Sequence, residues 1–446
     1  MTIDLIILLQ MILAAVMGTL LYTLIGIIPG TDETSVLVPV TAVLIALGVK
    51  EVVILTFFIS SMVALNLTDS IPTALTSIPG GVMSTPLVES SQHLKERGLT
   101  TSSIKKMTIG SLIGTLVAIP AALVIIFVIK LITKYADFPL ERFVKDYSGL
   151  IFLVGGIVLS LLSKNKVISL LTIIPFALLI SLVKYLHPIS NTPFFLSITS
   201  GPLLASLFLL IIPKFRKESV VYGNQNIKLE KDKKEKIRLL KILNKKEVKA
   251  SVAASILASA TFFLSPVGMT LLIGESLTNK IEDKDEKALT SVTSMNAIAN
   301  TAYLAGIMIS LLAFKFPISP AAIGPGSKLF DSDINILGLS FTNSMIAIIL
   351  GVVVALIITV YLALKYASKM TEIVFKYISQ EAVLALLLSL VFLLVFLDSG
   401  IIGIIAILAV GVISGLLNKK GVTYGVQFMA LYAAPFIVEI FTKLLG

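Results

Sequence analysis

The sequence predicts an all-α polytopic membrane protein of about 12–14 transmembrane or re-entrant segments. The segments fall into two pseudo-symmetric, inverted-topology halves with broken helices. Three observations predict this. Hydrophobic residues fill 56% of the 446 positions and charged residues only 14%, against roughly a quarter in an ordinary soluble domain. Apolar runs near the length that crosses a bilayer core recur along the whole chain. A single basic stretch, residues 214–249, divides those runs into seven and seven. An odd number per half sets the halves in opposite directions, a plan common among secondary transporters.

The first half offers segments near 3–27, 34–48, 52–78, 104–132, 148–163, 167–186 and 194–213. The first opens MTIDLIILLQ, without a positive leader region or a cleavage site, and reads as a retained helix. Segment 34–48 is short for a span, whereas 52–78 is long and dotted with polar residues. The second half offers 248–264, 267–278, 289–316, 335–364, 381–397, 399–416 and 422–444. Here 267–278 is the short member and 289–316 the long polar one. Short or interrupted segments at matching places in two halves point to a transporter core. Whether 34–48 and 267–278 span or re-enter stays open. The domain plan is a first membrane repeat over 1–213, a basic loop over 214–249 and a second membrane repeat over 250–446.

The charge has a place. Residues 214–249 hold 13 Lys/Arg and 5 Asp/Glu, so +8 of the net +10 sits in one loop. Its only aromatics are Phe215 and Tyr222, too few for the stacking platforms that bind nucleic acid. Excess Lys/Arg beside apolar runs marks a cytoplasmic loop of a multi-pass plasma-membrane protein. Propagating from there puts Lys95, Arg97, Lys105, Lys106, Lys164, Lys166, Lys365, Lys369, Lys376, Lys419 and Lys420 on the same side. The near-neutral loops around 133–147, 184–193 and 317–334 fall outside, as do both termini. The N-terminal side turns on whether 34–48 spans.

Cysteine is absent, which excludes disulfides, thiolate catalysis and cysteine-ligated metals. No Walker motif, nucleophile elbow or HExxH pair occurs. The expectation is a protein that is not an enzyme and has no cofactor beyond a coupling ion, Na⁺ or H⁺.

The informative positions are breaks and buried polar residues. Pro/Gly breaks occur at Gly26-Ile-Ile-Pro29-Gly30, Ser77-Ile-Pro79-Gly80-Gly81, Ser265-Pro266-Val-Gly268 and Gly324-Pro325-Gly326. Freed backbone groups at membrane depth survive where they line a cavity or lie within protein. A helix that restarts after a break aims its N–H groups at the gap, a place for an anion without a buried Lys or Arg. Pro29, Gly30, Pro79 and Gly80 are therefore candidate substrate-binding residues, with Asn66, Asn296 and Asn300 on the two long polar segments. Asn296 and Asn300 are spaced to share a helix face. Their amides suit a carboxylate or Na⁺, and helix–helix glue is the plainer alternative. Asp69, a carboxylate within a span, points to an ion-coupling role. Asp32 is a second ion-coupling candidate, although Asp32 and Glu33 also suit a helix cap. Na⁺ would sit near Asn66, Asp69 and Asn300. His93 and His187 are too far apart for a metal pair and read as surface loop residues.

These residues carry a family resemblance. The run GIIPGTDETSVLVPVTAVLIALGV (26–49), the polar segment ending SIPGG (77–81), then Glu89 and HLKERG (93–98) resemble the large permease of tripartite tricarboxylate transporters, the TctA family. The likeness extends to the Asn-bearing segment 289–301 and to Gly324-Pro325-Gly326, nearly the whole chain. It departs at Ser265-Pro266-Val267-Gly268, where the family usually has Pro-Gly, and at LNLTDSIPTALTS (65–77), which replaces a glycine-rich run. Glu89-Ser90 stands where an acidic residue followed by glycine is usual. The chain is identified as a divergent member. The resemblance implies cation-coupled uptake of a small organic anion, with an extracytoplasmic binding protein and a small membrane subunit as partners. An exporter or lipid-linked-intermediate translocase, a membrane scaffold and an intramembrane enzyme are the rival readings.

Overall fold

The computed structural model describes residues 3–28, 33–76, 80–81, 83–135, 142–143, 146–163, 165–187, 189, 191–211, 241–264, 266–330, 334–377 and 380–445. Every regular element among them is helical. Eight described helices are long and apolar enough to cross a membrane. The chain is an all-α polytopic membrane protein.

Two compact units form, and each draws on both halves of the sequence. The first comprises residues 1–138 and 228–384. It begins with α1 (Leu5–Ile25), α2 (Glu33–Ala46), α3 (Glu51–Thr68), α4 (Ser70–Thr76), α5 (Val88–Glu96) and α6 (Thr100–Tyr135). The second comprises residues 139–227 and 385–446. It holds α7 (Ser148–Leu162), α8 (Lys166–Leu186) and α9 (Asn191–Ile211). The first unit resumes with α10 (Lys245–Ala260), α11 (Pro266–Thr278), α12 (Lys284–Ile309), the short α13 (Pro320–Ile323) and α14 (Phe341–Tyr377). Most of α15 (Gln380–Lys419) and all of α16 (Tyr424–Leu445) belong to the second.

Burial inverts the pattern of a soluble protein. The apolar helices α1 and α6 have only 33% of their most apolar window buried, while 94% is buried for the polar-dotted α3 and α12. Leu5, Leu9, Leu13 and Met17 make an exposed apolar flank on α1, suited to lipid. Hydroxyls and amides on α3 and α12 need partners that lipid lacks, so these two helices take the centre.

Local chemistry sets the helix ends. The Asp4 carboxylate accepts from the Ile7 N–H at 2.8 Å and caps α1. Asn244 and Glu247 cap α10 reciprocally, each side chain accepting from the other's backbone N–H. Pro266 is the first residue of α11, where its missing N–H costs nothing. Pro39 lies inside α2 and cannot donate to the preceding turn. Nearby, the Tyr22 hydroxyl donates to the Val36 carbonyl at 2.7 Å.

Small residues let α6 and α12 touch. A Cβ on Gly110 would overlap the Thr293 carbonyl oxygen, and one on Gly114 the Ala297 carbonyl oxygen. The matched four-residue spacing runs along one seam, a recurrent packing device in membranes. In the second unit Gly415 meets the Gly201 carbonyl in the same way. The Ser414 hydroxyl and the Gln427 amide pair at that crossing. The Phe152 and Tyr432 rings pack with centroids 5.3 Å apart.

Candidate substrate and cation site

The site forms where α3 is interrupted. Asp69 separates α3 from α4, with its own N–H still bonded to the Leu65 carbonyl at 2.9 Å. Pro72 explains the interruption, because it cannot donate to the carbonyl of Thr68 four residues earlier. Asn66 and Asp69 are one turn apart and fully within the core. Neither Asp69 oxygen has a hydrogen-bond partner among the described residues, the adjacent Ser70 backbone N–H being the donor that comes near. Both polar atoms of the Asn66 side chain are unpartnered as well.

The second polar helix meets this point. The Asn296 amide nitrogen donates to Ser70 Oγ at 3.2 Å, to the Met107 carbonyl at 3.0 Å and to Ser111 Oγ at 2.9 Å. The Asn300 amide nitrogen donates to the same Ser111 Oγ at 2.9 Å. Ser111 in turn donates to the Asn296 backbone carbonyl at 3.3 Å. Thr301 closes the seam through the Gly114 carbonyl at 2.9 Å. The carbonyl oxygens of both carboxamides, Asn296 Oδ1 and Asn300 Oδ1, are buried without a partner among the described residues.

Gly80 after α4 and the segment after α12 lie against the ends of the central helices. Gly80 lies against the Asp69 carbonyl, and its N–H donates to Thr73 Oγ1 at 3.1 Å. Gly26, just after α1, lies against Thr68 Oγ1. In the second half, α12 ends in a π-helical turn over Ser310–Phe314, and Lys315 turns left-handed at φ 50°. The chain then returns: the Ile318 N–H donates to Ser310 Oγ at 3.4 Å, and the Ser310 and Ser319 hydroxyls lie 3.3 Å apart. Gly324, Pro325 and Gly326 are buried, and Gly326 packs on Ile307.

Of the residues singled out in the sequence, the structure brings Asp69, Asn296 and Asn300 into one neighbourhood through Ser70 and Ser111. Asn66 lies one turn before Asp69, and Gly80 lies against the Asp69 backbone. Pro29, Gly30, Asp32 and Pro79 lie outside the described residues, as does the basic loop up to residue 240. Sequence reading marked Ser70 only as one polar residue of segment 52–78 and missed Ser111 as an organiser. The signal for Ser111 was present as a hydroxyl between Gly110 and Gly114. His93 needs correction: it is not a loop residue but lies on α5, with Nε2 2.7 Å from Asp285 Oδ1. Arg97 joins the same carboxylate at 3.2 Å. The periodicity of 88–96 is weak because the helix is short and polar, so it passed as a loop.

Charged residues gather at one end of this unit. Lys106 pairs with the buried Glu247, and Lys246 with Glu286 at 2.9 Å. The Glu286 carboxylate, by hydrogen bond and charge, holds the Lys246 ammonium above its usual range. Residues 93–106, 245–247 and 285–286 thus meet through ion pairs across large sequence separations. No group of three or more candidate metal-ligating side chains occurs among the described residues.

A family model described as the tripartite tricarboxylate transporter TctA family matches residues 12–426. The chain belongs to the TctA family. Its match spans α1 to the start of α16 and so takes in both central helices and the site between them. No curated protein and no solved structure is similar enough to match. Membership in the TctA family makes this chain a membrane transporter component of the tricarboxylate class. It also agrees with the resemblance read from the Pro-Gly and Asn-bearing segments.

Proposed function

We propose that the chain is the permease of a secondary transporter that carries a small di- or tricarboxylate-like anion, driven by a Na⁺ or H⁺ gradient. One observation carries this reading. Asp69 is a buried carboxylate at a helix interruption, without a side-chain partner among the described residues and next to Ser70, which meets an amide from the other half of the chain. A carboxylate is costly at such depth and is retained where an ion or proton visits it. The substrate's own charge would meet backbone N–H groups and amides rather than a buried Lys or Arg. Asn66 and Gly80 would supply part of that lining, and Pro29, Gly30 and Pro79 remain candidate substrate residues on the sequence alone. Asp32 is a second coupling candidate. Family membership supports an extracytoplasmic binding protein and a small membrane subunit as partners. The ion pairs support the topology in which 93–106, 245–249 and 279–288 share the cytoplasmic side of the plasma membrane with the basic loop.

Counterflow of labelled citrate, succinate and related acids in proteoliposomes tests the reading. Uptake that rises with an inward Na⁺ or H⁺ gradient supports it. No anion movement under either gradient, with the partner subunits present, overturns it. Asp69→Asn is expected to abolish gradient-driven accumulation.

A further inference from the structure

Ser111 fixes which way two buried carboxamides face. Its oxygen has one hydrogen and two lone pairs. The hydrogen goes to the Asn296 backbone carbonyl, so the oxygen can only accept from Asn296 and Asn300. The Met107 carbonyl, which cannot donate, fixes the Asn296 amide independently. Both NH₂ groups therefore face Ser111 on α6, and both Oδ1 atoms are buried acceptors without a partner among the described residues. Asp69, next to the Ser70 that Asn296 also contacts, adds two more oxygens without a partner among the described residues.

An anionic substrate would want donors here, and the Asn296 amide nitrogen is already held by Ser70, Met107 and Ser111; Asn66 Nδ2, one turn before Asp69, is the side-chain amide left to such an anion. Four buried oxygens without a hydrogen-bond partner among the described residues suit a cation, and a single carboxylate among them suits a monovalent one. Hard cations take carboxylate and amide carbonyl oxygens as ligands. We propose that Asp69, Asn296 Oδ1 and Asn300 Oδ1 form a Na⁺ site, with Ser111 as the positioning residue that turns the amide oxygens toward it. This rests on the transport reading and sharpens it: Asn296 and Asn300 serve the coupling ion rather than the substrate. It also selects Na⁺ over H⁺, since a proton on Asp69 gives one O–H donor and can satisfy only one of the two amide oxygens. Ser111 acts as an outer-shell partner does in other metal sites, where its loss typically costs about 10–100-fold in affinity.

The test uses the full chain in lipid nanodiscs, without any organic anion. Thermal unfolding is followed in NaCl, KCl and choline chloride at equal ionic strength, and Na⁺ affinity is taken from the concentration dependence of the shift. The expected result is saturable stabilisation by Na⁺ alone. Asp69→Asn should lose it. Ser111→Ala should weaken Na⁺ affinity by about tenfold or more. Should Ser111→Ala not fold, Asn300→Ala, which leaves the Asn296 bridge intact, is expected to weaken it likewise. Equal unfolding in the three salts overturns the proposal, and so does a Na⁺ response unchanged in Asp69→Asn or in the folded Ser111 or Asn300 variant. Proton-driven uptake without any Na⁺ effect removes the Na⁺ site and leaves the transporter. Na⁺ binding without uptake of any acid removes the transport reading and leaves the site.

Discussion

Gly80 rests on the carbonyl of Asp69, eleven residues back along the chain, so closely that a Cβ there would overlap that oxygen and lie 2.8 Å from Pro72 Cγ. Gly80 is thus held against the interruption in α3 by contact with backbone, which cannot swing aside as a side chain could. Gly80→Ala is expected to push the loop off the site. Overpacking of this kind costs about 1–3 kcal/mol. A lowered unfolding temperature and a marked loss of anion counterflow should be seen together. Wild-type counterflow in Gly80→Ala would show that the loop does not shape the substrate path.

Two ion-pair groups at the charged end of the first unit should differ sharply in worth. Glu247 is buried with its side chain 1% exposed, and its partner Lys106 is 13% exposed. Glu247→Gln keeps the capping shape but leaves the Lys106 charge alone. Breaking a buried pair in this way costs about 3–5 kcal/mol, toward the lower figure because Lys106 keeps some access to water. Asp285, by contrast, is 30% exposed and shared between His93 and Arg97. Asp285→Asn is expected to cost far less, because water screens an exposed pair. Thermal unfolding of the two variants side by side checks the ordering, and an equal or reversed loss would overturn it.

Much of the fold was legible because lipid imposes a simple rule on composition. The short segment 34–48 appears as α2 over Glu33–Ala46 and the short 267–278 as α11 over Pro266–Thr278. The long polar runs 52–78 and 289–316 became the buried centre, since their hydroxyls and amides have to be satisfied by protein. The boundary between 381–397 and 399–416 falls at Gly400, where α15 bends. What a pattern could not give was pairing. Nothing local says that Ser111 will sit between Asn296 and Asn300, or that Asp285 will reach His93, because those contacts join residues nearly two hundred positions apart. The orientation of an amide is further from view still. The sequence leaves Asn296 and Asn300 suited to an anion or Na⁺ alike, and only the contacts with Ser111 say which way their amides face.

The last prediction separates space from torsion. Gly400 has φ 62° and ψ −154° between two helical stretches of α15, and a Cβ at that position would meet nothing within 4 Å. Room is therefore no obstacle to a side chain there. The backbone is, because this combination of angles is essentially restricted to glycine, and forcing another residue into it costs about 1–3 kcal/mol. Gly400→Ala should accordingly destabilise without any steric clash, and the larger Gly400→Val should do little worse on steric grounds, with β-branching adding only backbone strain. A helix-favouring change at an ordinary helical glycine would stabilise instead, by about 0.5–1 kcal/mol. The sign of the change for Gly400→Ala in thermal unfolding decides between them. A stabilised variant would mean that α15 runs straight through residue 400, and that the bend is not part of the native helix.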